Sequence, residues 1–437
     1  MTFLEILYCV ALITVMSLLI FKWRAFSLPG IKKQWVLWVF YLKILAGFVL
    51  VFVYSKYYTN RNDSDIFRYF DDSEILYNAI KTSPSDYFAM LTGINDDGPY
   101  FAENYYGKMN NWYIKYETVL YNDCHTIIRI NTIFRLFSFG FFYVHSLLFI
   151  ILCFIGLIAL YKTFIKYFSC KSKALFFALF LIPSVVFWSA GILKESILIF
   201  ALGMFLYSYQ KLLFISFNIG RVLVFVFSFA LMYFTKTYVL AVLLPVIVAN
   251  TWIVLTNNRH VFVKQLITLL VFVNAAILVG VLFPEYNVFY LITHKLQNFA
   301  NLAVDSNAGS MIAPLPLEPS FLSMLKYSPF AVVNTLFRPF IGDVNSLIML
   351  PALIENVIII ITILMAVLFH EKKIQHIRII AFCLFFVILL ATITGLTTPV
   401  LGALVRYRIP MLPFLFIMLF LIIDFNKIKL LFKFKKA

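Results

Sequence analysis

The sequence predicts an all-α protein: a bundle of transmembrane helices with two large extracytoplasmic loops. Of the 437 residues, 63% are hydrophobic and only 13% are charged, and the mean hydropathy is +0.93. Soluble globular domains are closer to half apolar and a quarter charged. Composition therefore excludes a soluble enzyme, a disordered chain and a fibrous protein. We expect a single integral membrane domain that covers residues 1–437.

A membrane-spanning helix needs about 20 mostly apolar residues, and about eleven segments meet that description. These candidate spans lie near 3–21, 34–54, 137–161, 174–192, 195–209, 221–235, 237–256, 265–283, 345–369, 377–395 and 409–425. The segments 195–209 and 221–235 are the weakest because they are short. Segment 3–21 has no basic residues before it, so we interpret it as a retained span and not as a signal peptide.

The distribution of charge predicts the orientation. With the N-terminus outside, the inside loops and the C-terminal tail carry 20 of the 36 lysines and arginines, but only two acids, Glu371 and Asp424. Basic residues concentrate on the cytoplasmic side of membrane proteins. We therefore expect a bacterial cytoplasmic membrane protein with an extracytoplasmic N-terminus and a cytoplasmic C-terminus. The net charge of +16 does not indicate nucleic-acid binding, because no predicted soluble domain presents a basic face.

Two predicted outside segments, 55–136 and 284–344, are long. Loops of this length without a structural purpose are uncommon in compact proteins. We expect the first loop to contain short amphipathic helices near 64–80 and 125–136 that lie along the membrane surface. The sequence contains no internal repeat and no glycine-rich nucleotide-binding loop.

An acidic segment, 63–74, is the first candidate for chemistry. If it is helical, Asp65, Arg68, Tyr69 and Asp72 share one face, at spacings i, i+3, i+4 and i+7. A carboxylate near an apolar boundary can serve as a general base, because burial raises its pKa toward neutrality. The alternative is a solvated amphipathic helix whose acids pair with Arg68.

A tight turn within 183–196 is the second candidate. It joins two predicted spans, so Lys194 and Glu195 lie near membrane depth, close to Trp188. Ionisable residues at this depth are costly and tend to mark function, which predicts a buried polar site. The alternative is a lysine whose apolar stem lies in lipid while its ammonium group reaches water.

Arginines on the predicted outer side form the third and fourth candidates. Arg406 and Arg408 flank Tyr407 at the outer mouth of the last span. The planar guanidinium fork suits phosphate oxygens, so we expect them to bind phosphate; the alternative is anchoring in the aromatic belt. Arg338 either joins these arginines or pairs structurally with Asp343.

The five cysteines and six histidines indicate no further site. Cys124 is the only cysteine predicted outside, so no disulfide is expected there. The histidines lack metal-ligand spacing on one side of the membrane. No metal or other cofactor is predicted, although carboxylates in the outer loop could accept a divalent cation.

Three short motifs together resemble the GT-C superfamily of bacterial polytopic glycosyltransferases, including RgtA/B/C/D-like proteins. They are the acidic stretch Asp63–Asp72 with Tyr69 after a span, the Pro-Ser-x-x-Phe-Trp-Ser-x-Gly-x-x-Lys-Glu segment at 183–195, and Arg-Tyr-Arg-x-Pro-x-x-Pro at 406–413. The resemblance covers the layout of most of the chain, which differs by an additional span before the acidic loop. It implies that Asp63 or Asp65 is the base for an acceptor hydroxyl.

The resemblance also implies that Arg406 and Arg408 hold the phosphate of a polyprenyl-phosphate-linked sugar donor. Such a donor has its phosphate at headgroup level and its tail in the bilayer, so a site at the outer membrane boundary can contact both. The acceptor would be a cell-surface glycan or lipid.

Three other functions compete with sugar transfer. A polymerase of O-antigen or exopolysaccharide repeat units would share the spans, loops and arginines. A transporter of lipid-linked glycans predicts an inverted repeat, which is not evident. A membrane scaffold would leave the outer charged groups without a common pocket.

Overall fold

The computed structural model describes residues 1–57, 60–113, 116, 121–168, 170–344 and 346–434, and leaves out the side chains of residues 57, 63 and 430–434. The described residues confirm an all-α protein. Its α-helices are α1 (Phe3–Lys22), α2 (Lys33–Tyr57), α3 (Asp65–Thr82), α4 (Pro84–Thr92), α5 (Pro99–Asn104), α6 (Asp123–Ser138), α7 (Phe142–Phe164), α8 (Ser172–Phe180), α9 (Pro183–Trp188), α10 (Lys194–Phe214), α11 (Ile219–Leu255), α12 (Val261–Leu282), α13 (Val288–Asp305), α14 (Phe321–Phe337), α15 (Leu350–Leu368), α16 (Ile377–Thr397), α17 (Leu401–Tyr407), α18 (Leu412–Ile422) and α19 (Phe425–Phe434).

Single-turn 3-10 helices connect several of these elements. They lie at Arg24–Phe26, Arg61–Asp63, Tyr106–Lys108, Ile165–Tyr167, Pro284–Tyr286, Ile341–Asp343 and Leu347–Met349. Extended pairing in the described residues is limited to two isolated bridges, Met311 with Val400 and His370 with Ile423.

Eight helical segments among the described residues are long and apolar enough to cross a membrane. They are Phe3–Lys22, Lys33–Lys56, Phe142–Tyr167, Lys194–Phe214, Ile219–Leu255, Val261–Leu282, Leu347–Leu368 and Ile377–Thr397. Helices α17 and α18 are bent by 61° and would make a ninth span if they count as one. These helices are those of a multi-pass membrane protein.

The predicted spans and the observed helices differ in three places. The predicted span 409–425 contains α18, of only 11 residues, which could cross a membrane only together with α17. Residues 174–192 contain α8, of 9 residues, and α9, of 6 residues, because Pro183 lacks an N–H and disfavours helix at the residue before it. The spans 221–235 and 237–256 form the single helix α11, which is broken at Lys236 (φ −150°, ψ 77°). The break falls at the residue between the two predicted spans.

The chain forms two compact units. The first unit consists of Met1–Thr163 and Val186–Thr237, and the second consists of Phe164–Val185 and Tyr238–Ala437. Helices α9 and α11 contribute residues to both. The acidic segment and Lys194 therefore belong to the first unit, and Arg338, Arg406 and Arg408 belong to the second.

In the first unit, helices α3 to α6 lie in the predicted outer loop 55–136 and share one hydrophobic core with residues of α2, α7 and α10. Helix α3 packs against α4 and α6, and Leu76, Met90 and Ile127 are completely buried between them. An aromatic stack lies beside this core. The Trp112 ring stacks on Tyr106 at 4.1 Å and on His125 at 3.7 Å between centroids.

Helix α2 of the first unit contains a buried cation. Lys43 Nζ donates to the Ser189 carbonyl oxygen at 3.0 Å and to Ser189 Oγ at 2.9 Å, just beyond the C-terminal end of α9. Cations are stabilised at helix C-termini by the unpaired carbonyl groups there. Lys43 thus holds the segment that leads into α10, at whose start Lys194 lies.

Helices α7 and α10 cross without intervening side chains. A Cβ atom on Gly203 would overlap the backbone of Gly156, and a Cβ on Gly156 would lie 2.5 Å from the Ile199 carbonyl oxygen. Only glycine permits this approach of two backbones. The crossing holds α10, the helix that begins at Lys194, against α7.

The second unit is built around α16, which packs against α12, α13, α14 and α18. The α14–α16 contact is close, because a Cβ on Gly395 would overlap the backbone of Ala331. Ile312 N donates to the Pro399 carbonyl oxygen and Leu401 N to that of Ser310. These bonds connect the 306–320 segment to the residues that precede α17.

We expect Gly203→Ala to destabilise the protein by about 1 to 3 kcal/mol, since the added methyl group has to separate two helices in contact. The measurement is thermal unfolding of purified protein in detergent. Gly402→Ala is the control, because no atom lies within 4 Å of its Cβ position. An unchanged midpoint for Gly203→Ala would contradict the close crossing.

A second prediction concerns pH. Burial lowers the pKa of His125 to about 4, whereas histidine in an unfolded chain titrates near about 6.5. Between these values the unfolded chain binds a proton that the folded chain does not. The free energy of unfolding should therefore fall as the pH drops from about 7 to about 4.

We expect His125→Phe, which keeps an aromatic ring beside Trp112, to unfold with a smaller loss of stability over that pH range. Burial raises the pKa of Asp72, which makes the free energy of unfolding rise as the pH falls. This contribution is the same in both proteins, so the difference between them comes from His125. Melting curves at pH 7.5 and pH 5 test this. Equal pH dependence in both proteins would show the prediction to be wrong.

Candidate functional site

Helices α3, α6 and α10 of the first unit each begin with a charged residue. Asp65 is the first residue of α3, Asp123 of α6 and Lys194 of α10. A helix N-terminus carries unpaired N–H groups and a partial positive charge, so it stabilises anions and disfavours cations. The two aspartates are therefore in favourable positions, whereas Lys194 requires a compensating anion.

Asp123 supplies that anion. Lys194 Nζ lies 2.6 Å from Asp123 Oδ1 and 3.2 Å from Cys124 Sγ, and its side chain is only 10% exposed. The same ammonium group lies 5.6 Å from the centroid of the Tyr69 ring, within the range of a cation–π contact. Tyr69 and Lys194, which are 125 residues apart in the sequence and were both predicted site residues, therefore lie together.

A second lysine reaches the same carboxylate. Lys236, at the break in α11, has its Nζ 3.6 Å from Asp123 Oδ2 and a side chain that is 8% exposed. The Phe234 carbonyl oxygen accepts a hydrogen bond from Thr126 Oγ1 at 2.6 Å. The first turn of α6 thus contacts the break through both Asp123 and Thr126.

Cys124 occupies the centre of this group. Its sulfur lies 3.8 Å from the Tyr69 hydroxyl. Burial raises the pKa of the thiol, Lys194 opposes that shift, and the carboxylates of Asp123 and Asp65 add to it. Asp65 begins α3, one helical turn before Tyr69. We call Asp65, Tyr69, Asp123, Cys124, Lys194 and Lys236 the lysine–carboxylate cluster.

The other predicted residues of the acidic segment have different roles. Asp72 is completely buried and accepts hydrogen bonds from Asn110 N at 2.7 Å and Asn111 N at 2.8 Å. It therefore ties the 110–111 segment to α3. Arg68 is half-buried and acts electrostatically on Asp72. The side chain of Asp63 lies outside the described residues.

Glu195 follows Lys194 in α10 and is 1% exposed. Both charged side chains at the start of this helix are therefore buried. That they form a functional site stays a prediction. Ser64 immediately precedes α3, and its hydroxyl is completely buried.

The second unit contains a different polar site, an ion pair. Arg408 Nη2 lies 2.8 Å from Glu355 Oε1, and the two side chains are 0% and 1% exposed. Ser184 donates to the same carboxylate twice, from its N–H at 2.6 Å and from its Oγ at 2.8 Å. The carboxylate of Glu355 thus has three donors.

The guanidinium of Arg408 also caps a helix. Its Nη1 lies 3.1 Å from the Arg338 carbonyl oxygen and 3.4 Å from those of Thr335 and Leu336, at the C-terminal end of α14. This is the favourable end of a helix for a cation. Arg408 therefore joins α14, α15 and the α17–α18 bend.

The remaining predicted arginines are less buried. The Arg338 side chain lies 3.7 Å from Asp343, as expected for structural pairing. Arg406 is half-buried. That Arg338, Arg406 and Arg408 bind a phosphate stays a prediction, and for Arg408 the guanidinium already contacts a carboxylate and three carbonyl oxygens.

Asp123, Lys236 and Glu355 were not among the predicted site residues. Two of them had a sequence signal: Lys236 is the charged residue between two predicted spans, and Glu355 is an acid within one. Asp123 had no sequence signal except that it follows Asn122. The Asn122 side chain caps α6 by accepting a hydrogen bond from Cys124 N.

The described residues contain no group of three or more histidine, cysteine or acidic side chains placed to hold a metal ion. No protein-family model, curated protein or solved structure matches the chain. Function must therefore be inferred from the lysine–carboxylate cluster.

We expect Glu355→Gln to lower the free energy of unfolding by about 3 to 5 kcal/mol, because it leaves the Arg408 charge buried without its anion. Membrane abundance and the thermal midpoint of the purified protein measure this. The double variant Glu355→Met/Arg408→Met should recover most of the loss, since it removes both charges.

Arg61→Gln is the control. It breaks the Arg61–Asp71 pair, whose distance of 2.7 Å is close to the 2.8 Å of the buried pair but whose side chains are 50% and 31% exposed. Its effect should therefore be about 0 to 1 kcal/mol. A Glu355→Gln variant as stable as Arg61→Gln would show that the buried pair is not structural.

Proposed function

We propose that this chain is a membrane glycosyltransferase that moves a sugar from a polyprenyl-phosphate-linked donor to a glycan or lipid acceptor. The lysine–carboxylate cluster supports the proposal. Two predicted site residues, Tyr69 and Lys194, are in contact there, beside a second lysine and a carboxylate. A third, Asp65, lies one helical turn before Tyr69 in α3. The same cluster offers a base and a cationic site for an anion.

In this proposal, the cationic part holds the donor phosphate. Lys194 and Lys236 are point charges suited to phosphate, and the N-termini of α3, α6 and α10 add partial positive charge. Asp123 positions both ammonium groups. The polyprenyl tail would lie in the bilayer, since α10 and α11 are among the candidate spans.

The reaction consists of four changes in which atoms and charge balance. The acceptor hydroxyl loses its proton to the Asp65 carboxylate, and its oxygen forms a bond to C1 of the donor sugar. The bond between C1 and the phosphate oxygen breaks, and its electron pair leaves with polyprenyl phosphate. The products are the glycosylated acceptor and polyprenyl phosphate, with Asp65 protonated.

Electrostatics couples these changes. Asp65, Asp123, Lys194 and Lys236 have a combined formal charge of zero when all are ionised. Protonation of Asp65 makes that charge +1 at the moment when the departing phosphate gains one negative charge. Stabilisation of charge that develops only in the transition state accelerates the reaction, whereas equal binding of the ground state does not.

The proposed location follows the predicted orientation. The acidic loop and the start of α10 would face the extracytoplasmic side of a bacterial cytoplasmic membrane. Nucleotide sugars are cytoplasmic, so a lipid-linked donor suits a site on that side.

We expect Asp65→Asn and Lys194→Gln each to reduce the glycan product by about 100-fold or more, the usual contribution of a general base, or of a donor to a developing anion. The measurement is the composition and length of cell-surface glycans in a deletion strain that expresses each variant. Asp71→Asn is the matched control, because Asp71 lies in the same helix and pairs with Arg61 instead.

The glycan profile also separates the competing functions. Loss of one sugar supports transfer, whereas glycans shortened to a single repeat unit indicate a polymerase. A transporter is indicated if a lipid-linked oligosaccharide accumulates in cells while isolated membranes keep both sugar transfer and polymerisation. If Asp65→Asn and Lys194→Gln both keep full activity at normal membrane abundance, the cluster is not the active site.

A further inference from the structure

The second unit contains a cavity of about 260 Å³ at the start of α16. Its lining comes from three separate segments of the chain. The residues are Tyr167, Asn258, His376, Ile377, Arg378 and Ile379. None of them belongs to the lysine–carboxylate cluster or to the Glu355–Arg408 pair.

Arg378 is positioned for an anion in this cavity. Its Nη1 donates to Asn250 Oδ1 and its Nη2 to the Tyr167 hydroxyl, each at 3.0 Å. The guanidinium carbon also lies 5.9 Å from the Tyr167 ring centroid. Two neutral acceptors and an aromatic face therefore orient the fork while adding no negative charge of their own.

The backbone around the cavity adds donors. Helix α16 has 21 residues and begins at Ile377, so its unpaired first N–H groups and its positive end lie at the lining. His376 precedes it in the left-handed conformation, with φ 58°. Partial burial and the neighbouring Arg378 lower the pKa of His376, so its neutral imidazole is the form that can donate a hydrogen bond here at neutral pH.

The surrounding loops are strongly basic. The segments 259–264 and 372–378, both predicted to be cytoplasmic, contain two arginines, three lysines and two histidines and no acid. The neighbouring acid, Glu371, lies 3.1 Å from Lys171. Basic pockets between transmembrane helices on this side bind lipid headgroups.

We propose that this cavity binds a phosphate group, with Arg378 as its principal ligand and His376 and the start of α16 as further donors. Ile377 and Ile379 give the lining an apolar side, which suits the glycerol and first methylenes of an anionic phospholipid. Either a lipid headgroup or free phosphate supplies this chemistry. The proposal is independent of the proposed sugar transfer.

The test is native mass spectrometry of the full chain, released from nanodiscs of phosphatidylcholine with increasing phosphatidylglycerol. We expect retention of phosphatidylglycerol by the protein, and about tenfold weaker retention by Arg378→Ala, as for loss of one charge-assisted contact. Competition by inorganic phosphate at millimolar concentration identifies free phosphate as the ligand. Retention that phosphate does not displace identifies the lipid.

Two variants keep the test decisive. Lys373→Ala removes an exposed charge of the same loop that does not line the cavity, so it should retain lipid normally. Asn258→Gly removes a lining amide at φ 56°, a backbone conformation that glycine accepts, and should weaken binding without unfolding the protein. Equal retention by Arg378→Ala and Lys373→Ala, or binding of neither probe, would overturn the proposal.

Discussion

The ion pair between Lys194 and Asp123 organises the candidate active site. A lysine at the first position of a helix opposes the helix dipole, and burial removes the water that would stabilise it. The negative charge of Asp123 compensates the Lys194 ammonium group for both effects, and its second oxygen lies near Lys236 Nζ. One carboxylate therefore brings the start of α6, the start of α10 and the break in α11 to one place. Its removal would leave two buried ammonium groups with less compensation.

The two buried ionic sites differ in how their charges are used. In the Glu355–Arg408 pair, the carboxylate has three donors and the guanidinium also contacts three carbonyl oxygens. This arrangement links α14, α15 and the α17–α18 bend, as expected of a structural pair. The cluster instead shares one carboxylate between two lysines. An ionisable residue near the bilayer is by default a hypothesis for a functional site.

Composition and hydropathy predicted the helical membrane class because both depend on the chain alone. Helical spacing placed Asp65 and Tyr69 on one face of α3, which is also a local property. Hydropathy averages failed where one residue decided the structure, at Pro183 between α8 and α9 and at Lys236 within α11. The pairing of Lys194 with Asp123 spans 71 residues, and no local pattern encodes such a contact, so Asp123 could not be assigned from sequence.

The break in α11 at Lys236 indicates that the lysine–carboxylate cluster does more than hold helices together. An unbroken helix of 37 residues would pair its own backbone at no further cost, whereas a break frees carbonyl groups that must find other donors. Thr126 bonds the Phe234 carbonyl, and the side chain of Lys236 reaches Asp123. Irregular backbone in membrane helices is tolerated where it is buried in protein or lines a water-filled cavity. The side chains that gather at Lys236 are those that sugar transfer to an acceptor hydroxyl would use.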